Sequence, residues 1–104
     1  MDDLVHVYAQ GARVVVMIQE NWDESVQEDV IDFFSGQIPQ GVWKHDALDG
    51  NGDAHLKAGL VGQSEAIPLV AGKQGLSRWQ NIFFCKFDGP GQQRSLVVTV
   101  LEGL

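Results

Sequence analysis

Three rhythms of apolar and polar positions divide the chain. Leu4 to Tyr8 and Val14 to Ile18 have the length and composition of strands, and the second is an unbroken apolar run of the kind buried on both faces. Gln10-Gly11 between them predicts a hairpin, with Ala12 and Arg13 leaving the turn itself undefined. After Asn21 the period changes. Val26, Val30, Phe33, Phe34 and Ile38 recur at helical spacing as one stripe, which predicts the main helix over about 23–37. Asp23, the capping-box spacing of Ser25 and Glu28, and acids in the first turn mark its start; Gly36 and Pro39 mark its end.

Residues 39–52 are polar and Gly-rich, with Trp43, His45 and Asp46 embedded, and read as a long ordered loop of the kind that carries function. Asp53 then caps a short helix over about 53–61, ended by Gly62, with Leu56 and Leu60 as its apolar face and His55 in its first turn. From Glu65 onward every signal is β. Ala66 to Val70 is followed by turns at Gly72 and Gly75, then by Trp79 to Phe87 and Ser95 to Leu101, joined as a hairpin through Asp88-Gly89-Pro90-Gly91. Both of these strands are apolar on both faces, more than the helices can cover, so a second sheet or another subunit must cover the rest. The pattern predicts one α+β domain spanning 1–104, mostly antiparallel β-sheet in a two-layer or sandwich-like arrangement.

Composition narrows the function. Apolar residues make up 44% of the chain and charged residues 20%, a globular balance, and no apolar run approaches the roughly 20 residues a membrane span needs. Fourteen acids against seven Lys and Arg give a formal charge of −7, a field that repels nucleic acid and anionic lipid and sets both aside as partners. Lys57, Arg78 and Arg94 are the candidates for a local anion site within that field. The acidic start, Met1-Asp2-Asp3, lacks the positive charge of a secretory signal and points to the cytoplasm. The single cysteine, Cys85, has Phe83, Phe84 and Phe87 for neighbours and reads as a buried, inert thiol.

Three constellations are candidates for chemistry. Asp49-Gly50-Asn51-Gly52-Asp53 imitates the opening of a calcium loop, but Ala54 stands where that loop needs Gly and Leu60 where it needs a bidentate Glu, so it reads as a turn leading into a helix. His45 and His55, flanked by Asp46, Asp49 and Asp53, offer nitrogen and oxygen ligands or acid/base groups; one surface and one loop histidine is the plainer alternative. Glu20-Asn21-x-Asp23 brings carboxylates to the rim of a buried strand and serves equally as a helix cap.

Spread in order over nearly the whole chain, Ile18-Gln19-Glu20-Asn21-Trp22-Asp23, Asp29, Trp43-Lys44-His45, Asp53-Ala54-His55-Leu56-Lys57-Ala58, Leu60-Val61-Gly62-Gln63-Ser64, Ile67-Pro68, Trp79-Gln80-Asn81-Ile82 and Phe87-Asp88-Gly89-Pro90 resemble the YjbQ-like (secondary thiamine-phosphate synthase) family. The resemblance implies a YjbQ-like fold, a homotrimer, a small phosphorylated ligand, and in some members a modest thiamine-phosphate synthase activity. It implies catalytic roles for Glu20, Asp23, His45 and His55 and ligand-binding roles for Asn21, Ser64, Trp79 and Gln80; in the enzyme reading His45 and His55 hold either a divalent metal ion or the phosphate of a small ligand.

The chain departs from the family pattern at several points. Gly11-Ala12-Arg13 stands where the family usually has His-Thr-Thr, Lys86 where a glutamate is common, and Gly91 where an Arg often follows Gly-Pro. His6 on the neighbouring strand is the remaining histidine. The N-terminal strands usual in the family are not seen before Met1, which predicts a sheet edge that trimerisation covers. Two readings follow: an enzyme using a His/acid pocket, or a non-catalytic oligomeric scaffold with a degenerate site.

Overall fold

The computed structural model describes residues 3–87 and 94–103. Its elements in chain order are β1 (Asp3–Gln10), β2 (Val14–Glu20), α1 (Glu24–Gln37), α2 (Asp46–Asp49), α3 (Gly52–Val61), β3 (Ser64–Val70), β4 (Lys73–Gln74), β5 (Gln80–Lys86) and β6 (Ser95–Leu101). They form two antiparallel sheets, one ordered β4-β3-β1-β6 and the other β2-β5. The α+β class and the antiparallel sheets are as the sequence predicts, but the second sheet leaves β6 exposed along its length.

Neither predicted hairpin forms. β1 pairs with β3, placing Val5 opposite Ile67, and with β6, placing Val5 opposite Val100; β2 pairs with β5, Val16 opposite Phe84. The turn at 88–91 lies outside the described residues. Turn residues fix only that the chain reverses, while burial decides which strand it meets. By the period of two, Val5, Val7 and Ala9 project from one face of β1 and meet Val14 and Val16 of β2 and Ile67 of β3 in a single core. A β1–β2 hairpin would put these residues side by side in one sheet and leave that face bare.

Val15 projects from the other face of β2, where α3 packs, and is fully buried. The side of α3 turned inward is Gly52, Asp53, Ala54, Lys57 and Ala58, not the predicted leucines: Leu56 is 45% exposed and Leu60 70%. Ala54 and Ala58 are small enough for the helix to approach β2 closely. Asp53 and Lys57 join them as an internal ion pair, Nζ to Oδ2 at 2.9 Å. Asp53 is therefore not the cap; the helix starts at Gly52 with Asn51 in the cap position, and Gly62 ends it at φ 98°.

α1 starts where expected, its Asp23 carboxylate accepting from the Ser25 N–H at 2.8 Å and from the Ser25 hydroxyl, so Ser25 serves Asp23 instead of forming a box with Glu28. The helix continues through Gly36 to Gln37, and Ile38 N–H closes it on the Phe34 carbonyl at 2.8 Å. Its stripe is only half-buried, with Phe33 left exposed. The predicted 39–52 loop contains the single turn α2. Cys85 is half-buried opposite Val15, and burial pushes its thiol pKa up, in keeping with an inert side chain.

Candidate functional site

The site grows from the segment between α1 and α3, and Asp46 is its fastener. One carboxylate oxygen accepts the Trp43 N–H at 3.0 Å and the other the Gly52 N–H at 2.8 Å, folding the segment back on itself. These bonds, the Trp43 one foremost, hold the Asp46 carboxyl below the usual carboxylate range, with burial opposing and the His45 charge assisting. Glycine is required at 52, where an added Cβ would lie 2.8 Å from Trp43 Cβ and 3.1 Å from the Asp46 carboxylate. Trp43 is tied down by its indole N–H, which donates to the Pro39 carbonyl at 2.7 Å.

This fold-back brings His45 to His55. Their rings meet edge to face with centroids 4.6 Å apart. His45 Nε2 lies 2.9 Å from an Asp49 oxygen, one helical turn on. Nitrogen or oxygen donor atoms of His45, Asp49 and His55 all lie within 4.8 Å of one another, the group of this kind found among the described residues. Asn51, with its amide nitrogen turned toward the acceptors, donates to Asp49, lies 3.2 Å from His45 Nε2, and presents its oxygen to the Arg13 guanidinium.

The Asp49-Gly50-Asn51 turn separates two depressions. On one side Val42, Trp43, Lys44, His45, Gly52, His55 and Leu56 line a hollow. On the other a cleft of about 650 Å³ runs between α1, α3 and the ends of β2 and β5. Arg13, Lys57 and Lys86 line it together with Asp49, Asn51 and Asp53, and Ile31, Phe34 and Phe87 form apolar walls. The cations predicted to converge do so only in part: Lys57 is in the cleft, whereas Arg78 stacks on the Trp79 ring, 4.6 Å from its centroid, and Arg94 lies near Gly11.

The remaining predicted site residues gather elsewhere. Glu20 ends β2, at the far end of the strand from Arg13, and is paired in register with Gln80. Asn21 donates its N–H to the Trp79 carbonyl at 2.6 Å, and the Trp22 and Trp79 rings meet at 4.4 Å. Asp23 caps α1, and its hydrogen bonds from Ser25 hold its carboxyl below the usual range. One oxygen of Glu20 is buried without a hydrogen-bond partner among the described residues. Ser64 is exposed at the start of β3, opposite Tyr8. His6 lies mid-strand on the face of β1 turned away from the core and does not join the histidine pair.

Comparison with known proteins agrees with this architecture. The sequence profile of the family described as UPF0047 protein YjbQ-like matches residues 2–103. A UPF0047 protein of Archaeoglobus fulgidus is 42% identical over 97 residues, covering 92% of this chain and 76% of its own. A second, from Methanocaldococcus jannaschii, is 41% identical over 100 residues, covering 96% and 71%. Among solved structures, an uncharacterized conserved protein of the yjbq/upf0047 family from Clostridium acetobutylicum superposes with a TM-score of 0.88 at 34% identity, covering 96% of this chain and 76% of that one. The chain belongs to the YjbQ-like UPF0047 family, whose function is unknown.

Proposed function

We propose that this YjbQ-like protein binds a small phosphorylated molecule in the cleft beside its histidine pair. The observation that carries the reading is the clustering of charge. Three of the chain's seven Lys and Arg line one cleft in a molecule of net charge −7. Arg13 and Lys86, at the adjoining ends of β2 and β5, and Lys57, paired with Asp53, supply the cationic groups of the cleft. Ile31, Phe34 and Phe87 suit the organic part of such a ligand.

Calorimetric titration with inorganic pyrophosphate and with thiamine phosphate tests the reading. Binding that weakens at least tenfold in Arg13→Ala and Lys86→Ala supports it, and equal binding by both variants overturns it. Formation of thiamine phosphate from its two phosphorylated precursors is the narrower version. Turnover lost in His55→Ala would support that version, and no turnover in wild type would remove it.

The reading includes a homotrimer joined through β6. Among the described residues that strand pairs with β1 alone, and it is exposed along its whole length, including Leu96, Val98 and Val100 on one face and Val97 and Leu101 on the other. Sedimentation as a trimer supports this assembly; a monomer at micromolar concentration counts against it.

A further inference from the structure

We infer that His45, Asp49 and His55 form an open three-ligand site for a divalent transition metal of the zinc and cobalt class. The inference concerns the histidine side of the turn, shares Asp49 among its ligands and Asn51 and Arg13 among its supports with the cleft, and stands whether or not the cleft takes a phosphate.

Three observations support it. The donor set is two imidazoles and one carboxylate, the composition of open zinc sites in which water fills the remaining position, and a poor match for magnesium or calcium, which take oxygen ligands. The geometry is close to what an ion requires. Metal–ligand bonds of about 2.0–2.1 Å place neighbouring ligand atoms roughly 3.3 Å apart around a tetrahedral ion. His45 Nε2 and the Asp49 oxygen already stand at 2.9 Å. All three donors lie within 4.8 Å, so small side-chain rotations complete the set.

The third observation is the support behind the ligands. Asp46 fixes the segment carrying His45 through the Trp43 and Gly52 N–H groups, and Asn51 donates to Asp49 while accepting from Arg13. Carboxylate ligands of metals are commonly held by such outer hydrogen bonds, whose loss costs roughly 10–100-fold in affinity. The net charge of −7 adds a general attraction for cations.

The test uses the full chain after chelation and dialysis, titrated with Zn²⁺ by calorimetry and with Co²⁺ by its visible absorption. Expected are one equivalent bound, a cobalt band of low-symmetry type, at least tenfold weaker binding in His45→Ala, Asp49→Ala and His55→Ala, about tenfold weakening in Asn51→Ala, and no change in His6→Ala. His45 and Asp49 side chains are 40% and 50% exposed, so those two variants keep the test valid if His55→Ala fails to fold. Absence of stoichiometric zinc and cobalt binding in folded wild type, or undiminished binding in both His45→Ala and Asp49→Ala, overturns the inference. Pyrophosphate titration of the metal-free chain separates the two sites: Lys86→Ala should impair the anion alone, and His45→Ala the metal alone.

Discussion

The Asp53–Lys57 pair is the point at which the fold should be most sensitive to a single charge. Lys57→Met keeps most of the side-chain volume but leaves a carboxylate whose side chain is 3% exposed without its ammonium partner, against β2. Removing one member of a buried ion pair costs about 3–5 kcal/mol, because the other must then be desolvated alone. With an unfolding entropy of about 2.1 cal/mol/K per residue, the 104-residue chain should lose roughly 14–23 °C of Tm. Replacing both residues by apolar ones of similar volume, Asp53→Leu with Lys57→Met, removes the orphaned charge and should return stability to within about 1–2 kcal/mol of wild type. Urea unfolding of wild type, both single variants and the double variant completes the cycle. The reasoning fails if Lys57→Met costs under about 1 kcal/mol, or if the double variant is less stable than either single one.

Further perturbations probe other links. Ala71 sits at φ 51° beside Gly72 at φ 78°, the two-residue turn between β3 and β4, so Ala71→Asn should raise stability by about 0.5–1 kcal/mol in denaturant melts. Gly52→Ala should destabilise the chain and weaken cobalt binding, since its methyl would displace Trp43 or the Asp46 carboxylate; unchanged melting and unchanged binding would contradict the close packing drawn here. Asp23 has a folded pKa below its ordinary value, so its charge contributes stability that is complete above about pH 4 and lost as pH falls through the folded pKa. Asp23→Asn keeps a capping oxygen without the charge, and its Tm should therefore fall less steeply than wild type below that pH.

Periodicity in the sequence located every long element, because strand and helix spacing are local properties of β1, β2, α1 and β6. Pairing was not legible. Both β2 and β5 carry apolar residues on two faces, and nothing local distinguishes a neighbour in sequence from a neighbour across the core. The face of α3 was misread for a related reason: Leu56 and Leu60 outweigh Ala54 and Ala58 in hydrophobicity, yet the narrow space against β2 admits alanine and a neutralised ion pair more readily than leucine. The histidine pair was legible only as two candidate residues. Asp49 was named beside them as an oxygen donor together with Asp46 and Asp53; what singles it out is its place one helical turn after His45, which a loop reading of 39–52 did not show.

The two halves of the predicted site now make separable claims. Arg13 marks the histidine and cleft end of β2 and Glu20 the other, and at about 3.3 Å per residue the strand holds those ends roughly 23 Å apart. A small ligand in the cleft of one protomer therefore cannot also touch Glu20 of that protomer. If each protomer works alone, Glu20→Gln should leave the metal and pyrophosphate affinities of the cleft end unchanged, and its effect should add to that of Lys86→Ala within about 0.5 kcal/mol. If a neighbouring copy brings its Glu20 end to the cleft, the two substitutions should couple, and the coupling should vanish on dilution to monomer. Measuring both variants and their combination above and below the association constant decides between a site built by one chain and a site shared between copies.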